Sequence, residues 1–459
     1  MVKINRLADS VARFGIPIVV ALMVNAVPSL LPVNTPLLGY LSARAYAVDK
    51  EDRKYADVET RRRHSVGQVC GKKLEEAQPL IEAERWAQAQ TVLESAPAKA
   101  CQSSYEKSQV WNFLGYVYYS RDRFRDAINA YNKVIAEPET DEQLKTNTRY
   151  TVAQLYFMLE DYANAAKYLE QWMRESDAVG VDGKVLLAQA YYQLNRKNDA
   201  LRYVEQAIGE SEKNGKTPKE NWWGLQRVIY YEKKDYRQVV AILKKMIKHY
   251  PKYSYWRQLG GMYGELDQDL NQLVAMEVSY LVGNLNKEQE LRGLASLFIG
   301  AEAPYLAAKV LDKGVKDGVV AANAKNLEML GQAWQLAQES KRALTVFEKA
   351  SSLSDKGEIS ARLASVYLDL GEDGKAVRSA RTALNKGGLK RSDLAYMVLG
   401  SAQLNLHCYA DARRAFVEAA KDQRSARYAN QWIEYADREG DRRDRLRESG
   451  AKLAACQKA

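Results

Sequence analysis

Asn112, Tyr116 and Tyr119 fall at i, i+4 and i+7 of the stretch VWNFLGYVYYS, a spacing that on a helix sets one amide and two phenols on a single face. The register recurs at Tyr150, Gln154 and Phe157, then at Gln189 and Tyr192, then at Tyr231. Such a row offers recognition rather than proton or electron transfer. Rigid amphipathic rings give contact area at little cost in conformational freedom, and carboxamides can both donate to and accept from a backbone. The face suits an extended peptide, and a carbohydrate strand could use it by stacking. The competing reading is that each ring packs on a neighbouring helix with only its hydroxyl wet.

The remaining reactive side chains do not assemble into a catalytic pattern. His64, His249 and His407 are scattered without metal-ligand spacing. GQVCGKK at Gly67 to Lys73 is one residue short of a phosphate-binding loop, and no Ser or Thr follows its lysine. G-x-S-x-G, H-E-x-x-H and G-x-G-x-x-G are absent. The expectation is a protein that is not an enzyme and uses no cofactor or metal.

The elements that position the row form a repeat. Trp111, Leu114, Gly115 and Tyr118 make one helical stripe, and after SRDR a second set follows at Phe124, Ala127, Tyr131 and Val134. This is the helix–turn–helix pattern of the tetratricopeptide repeat. It returns at Trp256, Leu259, Gly260 and Tyr263, at Leu327, Leu330, Gly331 and Trp334, and at Tyr409, Ala412, Phe416 and Ala419. The small second-helix residue marks ten units: Ala89, Ala127, Ala165, Ala200, Val239, Gln272, Ala307, Ala343, Ala376 and Ala412, spaced 33 to 39 residues apart. The expected fold is all-α, a right-handed superhelical solenoid of about ten hairpins over residues 69–422, closed by capping helices in residues 423–459. The unit carrying Gln272 is the least regular. Gly387 and Gly388 read as a helix stop, with Ser392 or Asp393 as the next cap. In this repeat the row at Asn112, Tyr116 and Tyr119 belongs to the concave side.

Lys3, Arg6 and Arg13 precede an apolar run, and Ala45-Tyr46-Ala47 is a small-residue site, so residues 1–47 read as an export signal cleaved after Ala47. The alternative is an uncleaved anchor, which Pro17, Pro28, Pro32 and Pro36 make a poor continuous helix. Either reading places the body in the periplasm, after a charged linker over residues 48–68. The net charge of +10 falls to a mildly basic body once the signal is set aside, and neither basic cluster, Arg61 to Arg63 or DRRDRLR at Asp441 to Arg447, is interleaved with aromatics, so nucleic acid is not expected as a partner. Four cysteines suit an oxidising compartment. Cys70 and Cys101 bracket the first hairpin and would meet across antiparallel helices. By elimination Cys408 pairs with Cys456, which requires the chain to fold back near Gly450.

Longer phrases are more specific than the repeat consensus. PKENWWGLQRVIYYEKKDY, YPKYSYWRQLGGMYGELDQ, NAKNLEMLGQAWQLA, KGGLKRSDLAYMVLGSAQLNL and RSARYANQWIEYADRE closely resemble periplasmic tetratricopeptide proteins encoded beside TonB, ExbB and ExbD. That resemblance implies an accessory scaffold of TonB-dependent energy transduction and iron-chelate uptake. Its partner would be a TonB, ExbB or ExbD component or an outer-membrane transporter, with membrane contact only through partners or the N-terminal segment. The alternative is an envelope-assembly or cell-wall factor that binds glycan or outer-membrane protein clients.

Overall fold

Ten three-residue turns punctuate the chain, and each has the same backbone. Their middle residues, Glu84, Asp122, Glu160, Asn195, Lys234, Asp267, Glu302, Gln338, Gly371 and His407, all have positive φ. Nine of them are not glycine, so a conformation that costs about 1–2 kcal/mol for other residues is held by what it closes. At Asp122, for example, the Arg123 N–H reaches the Tyr118 carbonyl at 2.9 Å and the Asp122 N–H reaches that of Tyr119 at 3.0 Å, which satisfies the open end of the helix.

The computed structural model describes residues 65–176 and 179–457. The export signal, its cleavage site, His64 and most of the charged linker lie outside them. The described residues form twenty-one helices and no strand, in two compact units. The unit up to Tyr250 holds five hairpins: α1 (Gln68–Glu82) with α2 (Trp86–Lys99), α3 (Ser104–Ser120) with α4 (Phe124–Ala136), α5 (Glu142–Met158) with α6 (Tyr162–Glu175), α7 (Val181–Gln193) with α8 (Lys197–Lys213), and α9 (Glu220–Glu232) with α10 (Tyr236–His249). The unit from Pro251 holds five more: α11 (Tyr253–Glu265) with α12 (Asp269–Leu281), α13 (Glu288–Gly300) with α14 (Pro304–Lys316), α15 (Ala324–Leu336) with α16 (Ser340–Ser352), α17 (Gly357–Asp369) with α18 (Asp373–Lys386), and α19 (Ser392–Asn405) with α20 (Tyr409–Ala419). A final helix, α21 (Gln423–Glu448), follows. No helix among the described residues is long and apolar enough to cross a membrane.

The same packing rule recurs in three hairpins. Gly115, Gly331 and Gly400 stand sixteen residues before Tyr131, Phe347 and Phe416, whose rings fill the space a Cβ would need. The Tyr131 ring lies across Gly115 of its own hairpin. Every small marker from Ala89 to Ala412 is buried except Gln272. That amide lies against Gly264, where the missing side chain leaves room for it.

The ends are closed by covalent and ionic contacts. Cys70 and Cys101 are disulfide-bonded, as are Cys408 and Cys456. The second bond forms because the chain reverses at Gly450, with φ +89°, and runs without helix to the Gln457 N–H, which donates to the Leu406 carbonyl at 3.0 Å. The C-terminal cap is therefore one helix of 26 residues rather than several. The start of α19 also differs from expectation. Arg391 occupies the cap position, and neither Ser392 nor Asp393 caps the helix. Asp393 is buried and accepts from the Arg391 guanidinium at 2.6 Å and from the Ser425 hydroxyl at 2.5 Å. A carboxylate enclosed between α19 and α21 is held by its charge partner.

Candidate functional site

The first helices α3, α5, α7 and α9 carry the tyrosine and amide row, all within the unit that ends at Tyr250. Asn112, Tyr116, Tyr119, Tyr150, Gln154, Phe157, Gln189, Tyr192 and Tyr231 are all half-buried. None is enclosed and none stands free. A helix presents these positions on one side because they recur every three or four residues. The repeat then restores the same side in each successive hairpin.

Tyr119, Tyr150, Phe157 and Tyr231 lean on the second helix of their own hairpin, and Tyr116 leans on that of the hairpin before it. Tyr119 meets Phe124 with centroids 6.0 Å apart, Phe157 meets Tyr162 at 5.1 Å and Tyr231 meets Tyr236 at 6.0 Å. In each case the partner is the first residue of the helix after the turn. Tyr150 lies 4.8 Å from Trp172, and Tyr116 sets its edge against Trp86 at 6.0 Å. These contacts fix each ring's orientation before any ligand arrives, and edge or tilted pairs add a modest attraction of their own. Three tyrosine doublets, Tyr118-Tyr119, Tyr191-Tyr192 and Tyr230-Tyr231, could each pack the first ring and turn the second outward. Only Tyr191 and Tyr192 divide that way, with Tyr191 buried, whereas Tyr118, Tyr119, Tyr230 and Tyr231 are all half-buried.

The amides behave differently from the phenols. The side chains of Asn112, Gln154 and Gln189 take no hydrogen-bond partner among the described residues. Half-buried carboxamides in this state can supply a donor and an acceptor to a backbone laid across them. Tyr192, by contrast, is already engaged, since its hydroxyl donates to Glu232 Oε1 at 2.8 Å and Glu232 also pairs with Lys197 at 2.9 Å. Sequence reasoning missed that ion pair because Glu232 ends α9, one hairpin away. A charged pair therefore stands beside the row.

Burial keeps Tyr119, Tyr150 and Tyr192 neutral. Burial pushes Tyr150 up to about 12, and burial followed by the nearby Asp122 raises Tyr119. Burial raises Tyr192 further, reinforced by its bond to Glu232. Phenols held in this state can donate hydrogen bonds and stack. His249 packs tilted against Trp223 with ring centroids 5.5 Å apart, and His407 holds the left-handed position of a turn. Cys408, Asp411 and Cys456 come within ligating distance of one another, but both sulfurs are spent in their disulfide.

The sixteen-residue register, the repeated turn and the period of 33 to 39 residues decide the architecture. This is a tetratricopeptide-type fold. Residues 81–248 match the RNPP family C-terminal domain, a span that contains every residue of the row. Solved structures with low overall similarity include a tetratricopeptide repeat protein from Parabacteroides merdae, at 13% identity with a TM-score of 0.36, covering 58% of this chain and 99% of that one. Another is YrrB, described as a TPR protein with an unusual peptide-binding site, at 13% identity and a TM-score of 0.32, covering 41% and 90%. A third is Naa15/Naa10 bound to HypK-THB, at 16% identity and 0.40, covering 84% and 64%. No curated protein matches the sequence.

Proposed function

We propose that the chain is a non-enzymatic scaffold that holds an extended protein segment along the α3, α5, α7 and α9 face, in the periplasm, as an accessory of TonB-dependent energy transduction. The observation that carries the reading is the combination of oriented half-buried rings with the carboxamides of Asn112, Gln154 and Gln189, which have no partner of their own. Rings supply contact area and amides supply backbone pairing, and together these are what an extended chain needs. A Pro-rich segment of the kind found in TonB proteins would lose little conformational freedom on docking. The export signal and the resemblance to proteins encoded beside TonB, ExbB and ExbD support the compartment and the partner class.

Site-specific photocrosslinking in intact cells tests it. A photoreactive residue at Tyr116, Gln154 or Gln189 should capture a TonB, ExbB, ExbD or outer-membrane transporter segment, and one at Arg125, exposed on the second helix of a hairpin, should not. Equal capture from both positions, or capture of glycan alone from the row, would remove the reading. Loss of growth on ferric chelates when Tyr116, Tyr119, Phe157 and Tyr192 are replaced together by alanine, with helical content intact, is the expected physiological result.

A further inference from the structure

The irregular unit identified by Gln272 has a second helix unlike the other nine. Leu270, Val274 and Leu281 on α12 are 71%, 57% and 73% exposed. At i, i+4 and i+11, with Glu277 between them at i+7, they form one stripe about 16 Å long. The place two residues after the small marker, Val274 here, is taken in other second helices by Asn129, Lys167, Arg202, Lys309, Arg378 and Arg414. An exposed leucine alone means little. Three in register, one of them at a place where six sister helices put a polar or charged side chain, form a face built to be covered.

Charge decides what covers it. Between Arg257 and Lys287 the chain has no lysine or arginine and four acids: Glu265, Asp267, Asp269 and Glu277. None of those four forms an ion pair among the described residues. Of the flanking cations, Arg257 is taken by Glu290 at 3.4 Å and Arg292 by Glu288 at 3.8 Å, and Lys287 at the far boundary pairs with none of the four acids. In a chain of net charge +10, this helix is a local acidic exception. A second copy docked face to face would oppose these carboxylates to themselves, and an anionic membrane surface would repel them.

We infer that the α12 face is a second docking surface, separate from the tyrosine row, and that its occupant is a basic amphipathic helix of another protein. Such a helix lays apolar side chains on Leu270, Val274 and Leu281 and sets lysine or arginine opposite Glu277 and Asp269. The attraction between acidic and basic faces fixes orientation and speeds encounter, while the apolar stripe supplies affinity.

The test uses the full chain and a fluorescein-labelled 18-residue helix of leucine and lysine with its leucines on one face, read by fluorescence anisotropy. Binding is expected to weaken by at least about tenfold when Leu270, Val274 and Leu281 become glutamine. It should also weaken in the variant Asp269→Lys with Glu277→Lys, and as salt is raised. Because all five side chains are partly or fully exposed, these variants should keep the parent's circular dichroism. Equal binding by the triple variant, by a scrambled peptide of the same composition or by a leucine and glutamate helix overturns the proposal. So does a dimer in sedimentation, or capture by lipid vesicles, that the triple variant abolishes.

Discussion

The phenol of Tyr191 on α7 donates to Glu170 Oε1 on α6 at 2.6 Å, joining the first helix of one hairpin to the second helix of the hairpin before it. The same bond recurs at Tyr118 to Glu94 and Tyr230 to Glu205, both 2.6 Å, and at Tyr367 to Glu348. Each tyrosine stands four residues before the left-handed turn residue, and each glutamate five after the small marker. Arg196 and Arg123 lie over the Tyr191 and Tyr118 rings. The repeat thus carries its own inter-hairpin clamp.

Replacing Tyr191 with phenylalanine should cost about 0.5–1.5 kcal/mol, measured by urea unfolding. The clamp also sets an alkaline limit. Burial, then donation to Glu94, pushes Tyr118 up to about 12. A group raised in the folded state contributes stability fully below its ordinary value of about 10 and loses it as pH climbs through the folded value. Stability should therefore fall between about pH 10 and pH 12, and Tyr118→Phe should flatten that fall.

Asp393 works in the opposite direction. The Arg391 guanidinium holds its carboxyl well below the usual carboxylate range, and the Ser425 hydroxyl adds to this. Its contribution is present above about pH 4 and is lost as pH falls through the lower folded value. Asp393→Asn should cost about 1.5–3 kcal/mol near neutral pH, with fraying of α21 in hydrogen exchange, and should remove the acid dependence there.

Gly331→Ala would place a Cβ 2.7 Å from the Phe347 ring. That overpacking should cost about 1–3 kcal/mol. Adding Phe347→Leu should return part of the loss, and a double-mutant cycle in chemical denaturation would measure the coupling. An additive cycle would show that the two residues do not share the space.

Reduction of the disulfides should act locally. The bonds close separations of 31 and 48 residues at the two ends of the hairpin series, where a repeat lacks one neighbour. Amide exchange should quicken in α1, α2, α20 and residues 450–457, with little change in α5 to α8. Uniform acceleration throughout the chain would contradict this local role.

The repeat was legible in the sequence because close helix packing leaves a periodic trace: Gly115 with Tyr131 and Gly331 with Phe347 recur at the same sixteen-residue spacing. Cysteine placement near the hairpin ends followed from the same regularity. What a stripe of tyrosines does was not legible, because spacing assigns a face but not its neighbours. Only the tertiary structure set Tyr119 against Phe124, tied Tyr192 to Glu232 and left the amides of Gln154 and Gln189 unpaired. It likewise buried Asp393 with Arg391 and Ser425 instead of spending it on a helix cap, and exposed the α12 leucines that sequence alone would have given to a core. Helical period is a property of neighbours along the chain, whereas exposure and charge partnership depend on which helix is laid beside it.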